Sequence, residues 1–160
     1  MTLTVLCVDD SNDDTLLLQH ACRRAGVGFR LQTLDDGEKA IQYLSGQKTF
    51  SDRAQFPVPH LVLLDLKMPC KTGFEVPDWM RANPGCVDVP VAVFTSSQHE
   101  ADIREAYRKG ASGFLTKPVE YEALIQLVKT LDELVQAKEQ LPGALTRLDA
   151  FKAQPSSTGV

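Results

Sequence analysis

Five short apolar runs, each closing on a polar residue, alternate along this chain with five segments of helical periodicity, and that alternation constrains the fold most. Leu3–Val8 (LTVLCV) stops at Asp9, Arg30–Leu34 precedes Asp35, and Leu61–Leu64 (LVLL) stops at Asp65. Val89–Phe94 (VPVAVF) is followed by Thr95, and Gly113–Leu115 by Thr116-Lys117. Runs without polar alternation, such as LVLL, suit strands covered on both faces. Between the runs lie helix signals. Ser11 reads as an N-cap, with Asp13 and Asp14 as helix-start residues favouring the positive end, and Leu17, Leu18, Ala21, Cys22 and Ala25 recur until Gly26. Asp36 opens a helix carrying Ala40, Ile41 and Leu44 and stopping at Gly46. A third runs from about Phe74 to Asn83, where Pro77 removes a backbone donor just past the first turn if the helix starts near Gly73. Ser97 and Glu100 have capping-box spacing for a fourth, ending at Arg108, Lys109 and Gly110. The last is long and amphipathic, with Leu124, Leu127, Val128, Leu131, Leu134 and Val135 on one face.

A strand–helix alternation implies a mostly parallel sheet with helices on both sides. For five strands the expected fold is α/β, a doubly wound (βα)5 flavodoxin-like sheet in the order 2-1-3-4-5. At 160 residues there is room for one domain of common size, expected over 1–138. Residues 139–160 form an extension, with a short helix over Pro142–Lys152 and a loose tail over Gln154–Val160. The stretch Gly46–Pro59 (GQKTFSDRAQFPVP) is a polar loop, longer than most connections in such folds.

Composition narrows the function. A formal charge of −4 with no basic stripe argues against direct nucleic-acid binding. No apolar run reaches membrane-spanning length, and the N-terminus lacks a basic start and cleavage site, so the chain is expected to be cytoplasmic without membrane contact. Cys7, Cys22, Cys70 and Cys86 include no C-x-x-C pair and lie far from the histidines, so they are expected to be reduced and to hold no zinc.

In doubly wound sheets, ligands bind outside the carboxyl ends of the strands. Strand 1 delivers Asp9 and Asp10 there, strand 3 Asp65, strand 4 Thr95 and strand 5 Lys117. Three carboxylates and one amine leave a formal −2 in a confined cleft, which a divalent ion would neutralise. Mg²⁺ suits a carboxylate or two with places kept for waters and phosphate oxygens. The acidic Asp-Asp-Ser-Asn-Asp-Asp after strand 1 excludes a flavin-phosphate loop, which needs donated amides there. Metal, phosphate and a central carboxylate together point to an aspartyl-phosphate.

Over roughly Leu3–Val135 the sequence resembles the receiver domain of two-component response regulators. The resemblance is carried by Val8-Asp9-Asp10, by Asp65-Leu66-Lys67-Met68-Pro69 with Gly73-Phe74-Glu75, by Thr95, and by Gly110 through Pro118 (GASGFLTKP). It implies that Asp65 is the phosphoacceptor and, with Asp10, a direct Mg²⁺ ligand, that the backbone carbonyl of Lys67 is a third protein ligand, and that Asp9 acts through water. It likewise implies that Thr95 is the switch hydroxyl, Phe114 the switch aromatic and Lys117 the phosphate-binding lysine, with a cis Lys117–Pro118 peptide. Phosphate would come from a histidine kinase or phosphotransfer protein and leave by hydrolysis. The long 46–59 loop and Thr95-Ser96-Ser97 resemble stand-alone receivers that partner phytochrome-like kinases. The long last helix could pair with a second copy of the chain or simply cover the sheet. Two other readings stay open: an Mg²⁺-dependent small-molecule phosphohydrolase, against which Lys67 stands where such enzymes commonly carry a second acid, and a scaffold that binds partners without phosphorylation.

Overall fold

The strands form where the apolar runs predict them. In the computed structural model, which describes residues 2–66 and 75–137, the order is β1 (Thr4–Val8), α1 (Asn12–Ala25), β2 (Arg30–Leu34), α2 (Gly37–Ser45), β3 (Leu61–Leu64), α3 (Glu75–Arg81), β4 (Val91–Thr95), α4 (Glu100–Arg108), β5 (Gly113–Thr116) and α5 (Tyr121–Ala137). All four strand pairings are parallel, and the order is β2-β1-β3-β4-β5, the doubly wound arrangement expected. Successive strand residues point to opposite faces. Val5, Cys7, Leu61 and Leu63 therefore join α1 and α5 in one core, while Leu6, Val8, Val62 and Leu64 join α2 and α3 in the other. This double burial is why β1, β3 and β4 carry no polar alternation.

Local signals set most helix ends. Ser11 Oγ accepts the Asp14 amide at 3.2 Å, and Asp36 Oδ1 accepts the Lys39 amide at 2.7 Å. Gly26 and Gly46 end α1 and α2 at φ +67° and +69°, a left-handed conformation that a Cβ would strain. Because α3 begins at Glu75, Pro77 is its third residue, where the missing N–H would have had no partner within the helix.

Some details differ from expectation. β4 starts at Val91 rather than Val89, because Pro90 offers a carbonyl (to the Val62 amide, 3.0 Å) but no N–H. β5 runs one residue further, through Thr116. α4 starts at Glu100 with His99 as its N-cap; Ser97 Oγ accepts the His99 amide at 3.4 Å, ahead of the helix, and its hydroxyl donates to Asp102 Oδ2 at 2.6 Å. No described peptide bond is cis, so Lys117–Pro118 is trans, the isomer that the tertiary amide still favours by about 0.5–1 kcal/mol. The expected short helix and tail after residue 138 lie outside the described residues. Cys7, Cys22 and Cys86 are free and buried, and Cys70 is not among the described residues. No described helix is long and apolar enough to cross a membrane.

The long loop after α2 is a built structure. Its Lys48–Phe50 stretch forms one 3₁₀ turn, and Phe50 and Phe56 pack with Tyr43, ring centroids 5.2 to 5.9 Å apart. Tyr43 Oη donates to the Pro57 carbonyl at 2.9 Å. Arg53 donates to the carbonyls of Tyr43 and Leu44, both at 2.8 Å, and of Phe56 at 3.1 Å, so one guanidinium closes the carboxyl end of α2 and the loop together. Arg53→Ala is expected to lower unfolding stability by about 1–3 kcal/mol, the cost of part-buried acceptors left unmade. Urea unfolding checks this, and a change below about 0.5 kcal/mol, the scale of ordinary surface substitutions, would contradict it.

Candidate functional site

Register assembles the polar edge. Val8 lies opposite Leu64, so the next residues, Asp9 and Asp65, leave the sheet side by side. Their backbones stay anchored: the Asp9 amide donates to the Leu34 carbonyl at 2.9 Å and the Asp65 amide to the Val8 carbonyl at 3.0 Å. Thr95 pairs with Thr116, and the Lys117 amide donates to the Thr95 carbonyl at 2.8 Å. Strand ends alone thus fix where four side chains start.

Carboxylate oxygens of Asp9, Asp10 and Asp65 lie within 4.8 Å of one another. Asp9 and Asp65 are buried and Asp10 is exposed, so the cluster opens to solvent on one side. Lys117 Nζ reaches into it, 2.6 Å from Asp9 Oδ2 and 3.1 Å from Asp65 Oδ2. The other Asp9 oxygen accepts the Ser11 amide at 2.9 Å. Burial pushes the Asp9 carboxyl above the ordinary aspartate range, with Lys117 and the Ser11 amide pulling against it. For Lys117 burial pulls downward, but hydrogen bonds to Asp14 and Asp9 outweigh it and hold the ammonium above the usual lysine range. The amine is therefore a fixed positive charge.

Asp14 is the site residue that sequence reasoning missed. Its Oδ2 lies 2.7 Å from Lys117 Nζ, across 103 positions of sequence. Its place in the first turn of α1 accounts equally well for an acid there, so nothing local distinguishes the two uses.

The remaining predicted residues sit differently. Thr95 is buried at the end of β4, its Oγ1 accepting the Ser97 amide at 3.4 Å. Phe114 packs in a small core with Val93, Ala106 and Ala111, flanked by Leu66, Ile103 and Tyr107. Lys67 lies outside the described residues, and so does its carbonyl. The donor set is hard oxygen from side chains already within reach of one another, which fits Mg²⁺ or Mn²⁺ and not a thiolate-seeking metal.

A parallel (βα)5 sheet with an acidic pair after β1, an aspartate after β3 and a lysine after β5 defines a receiver domain. The chain belongs to that family: the model of the response regulator receiver domain matches residues 5–129. Response regulator Rcp1 of Synechocystis is 31% identical over 140 residues, covering 88% of this chain and 93% of the relative. Among solved structures, a response regulator in red light signaling of R. palustris, RPA3017, superposes with a TM-score of 0.76 at 32% identity, covering 81% of this chain and 90% of that one. The Mn²⁺-bound form of Rcp1 superposes with a TM-score of 0.71 at 31% identity, covering 82% and 92%.

Proposed function

We propose that this receiver takes a phosphoryl group on Asp65 from a histidine kinase or phosphotransfer protein and works as a phosphorylation-dependent switch. The observation that carries the reading is the position of the Asp65 carboxylate, buried beside two further aspartates and held by the Lys117 ammonium. An Asp65 oxygen attacks phosphorus, the bond from phosphorus to the donor's imidazole nitrogen breaks, and the electron pair leaves with the histidine. Lys117 neutralises charge on the phosphoryl oxygens, and the Thr95 hydroxyl donates to one of them. Asp10, Asp65 and the Lys67 carbonyl would hold Mg²⁺ directly and Asp9 through water, and the ion would supply further charge neutralisation. Hydrolysis reverses the modification: water oxygen joins phosphorus and Asp65 leaves as a carboxylate.

The output is a change of surface. Phosphorylation adds about −1.5 to −2 of charge beside Thr95 and Lys117, and Thr95 and Phe114 carry the change to the face formed by α4, β5 and α5. Moving such a face from 1:99 to 99:1 takes about 5.5 kcal/mol of differential stabilisation, so a partial shift is expected. That face, together with the long α5, is also where a second copy of the chain would pair. Similarity to a response regulator in red light signaling supports a light-sensing kinase as phosphodonor, with the cytoplasm as the place of action.

The reading is tested by incubating the protein with Mg²⁺ and a small phosphodonor. A slowly decaying, alkali-labile phosphate is the expected result. Continuous donor hydrolysis without a lasting phosphoprotein would favour a phosphohydrolase, and no incorporation would favour a phosphorylation-independent scaffold.

A further inference from the structure

The Lys117 ammonium occupies ground that a divalent ion needs. It lies 2.6 Å from Asp9 and 3.1 Å from Asp65, two of the three carboxylates whose oxygens cluster within 4.8 Å. A small divalent ion binds oxygens at about 2.0–2.1 Å, so an ion held directly by Asp65 and the ammonium that now contacts Asp65 compete for the same carboxylate. Withdrawal into an apolar wall would strand a charge: the lysine side chain is 12% exposed, and the Phe94 ring centroid is 6.0 Å from its nitrogen.

We propose that Asp14 is a positioning residue that keeps hold of Lys117 when the metal takes Asp65. The proposal rests on reading Asp9, Asp10 and Asp65 as a divalent-ion site. Asp14 contacts the same ammonium at 2.7 Å but comes from α1, not from a strand end, and its side chain is 43% exposed while Asp9 is 4% exposed. It therefore gives the amine a seat at the solvent side of the cluster. Its backbone is fixed there by the bond from its amide to Ser11 Oγ at 3.2 Å. Without that seat, the ammonium would rely on Asp9 and Asp65 alone and would compete harder with the ion for Asp65.

The test is a double-mutant cycle read by Mg²⁺ titration calorimetry on the full unphosphorylated chain: parent, Asp14→Asn, Lys117→Met and the double variant. Asparagine keeps the shape and the backbone amide, so α1 retains its cap. With Lys117 present, Asp14→Asn is expected to weaken Mg²⁺ binding about fivefold or more, since a charge-assisted contact is lost in the metal-bound form. In the Lys117→Met background the same change should cost about twofold or less, the through-space effect of one partly exposed charge. Asp14→Glu should recover most of the affinity. Equal losses in both backgrounds, or no loss in either, would overturn the positioning role while leaving the metal site intact. A parent that takes up no Mg²⁺ would instead overturn the site reading on which the proposal rests.

Discussion

Lys117→Met in metal-free buffer is expected to lose about 3–5 kcal/mol of unfolding stability, the usual cost of removing one member of a buried ion pair. The loss follows from what stays behind. Asp9 and Asp65 have side chains 4% and 10% exposed, and without the ammonium their oxygens face each other with Asp10 close by. Asp14 adds little to the loss, because at 43% exposure water screens it. Mg²⁺ should reverse much of the effect, since the ion replaces the lost charge and no longer competes with an amine. An ion at 100 times its dissociation constant adds about 2.7 kcal/mol. Urea unfolding with chelator and with Mg²⁺ measures both parts. A chelator-side loss below about 1 kcal/mol, or a stabilisation by Mg²⁺ no larger than in the parent, would contradict this account.

Phe114→Ala is the second large effect, and it concerns packing alone. The ring is 1% exposed on the four-residue strand β5, enclosed by Val93, Ala106 and Ala111. Two of those three neighbours are alanines, which cannot move inward to fill the space, so a cavity should persist. Truncation of a buried phenylalanine costs about 3–5 kcal/mol, against a total of about 5–15 kcal/mol for a domain of this kind. Because Ala106 is the buried residue of α4, the variant should also loosen that helix. Faster amide hydrogen exchange across Glu100–Arg108 than across α1 is the expected pattern. A cost under about 1 kcal/mol, or uniform exchange, would place the ring outside the supporting core.

The two effects explain what could be read from residues alone. Strand positions were legible because a strand buried on both faces must be apolar at consecutive positions, as Leu61–Leu64 are. Helix ends at Ser11, Asp36, Gly26 and Gly46 were legible because a cap is a local event, decided within four residues. Contacts between distant segments left no such mark. The ion pair from Asp14 to Lys117 spans the chain, and an acid in the first turn of a helix has a sufficient local explanation already. Arg53 reads as one polar loop residue among several, yet it closes the carboxyl end of α2. Ser97 was misread for the complementary reason: its spacing to Glu100 suits a cap, but its oxygen accepts the His99 amide ahead of the helix while its hydroxyl donates to the Asp102 carboxylate, a partner five residues on. The strand-end residues Asp9, Asp65 and Lys117 were found because topology, not contact, decides where a strand's next residue goes.

Mapping the phosphate on the protein tests the central claim most directly. After incubation with Mg²⁺ and a small phosphodonor, the acyl phosphate is trapped by borohydride reduction and the modified peptide sequenced by mass spectrometry. The label should fall on Asp65 and vanish in Asp65→Asn, while Asp9, Asp10 and Asp14 stay unmodified. Label on any of those three instead, or undiminished incorporation in Asp65→Asn, would contradict the account.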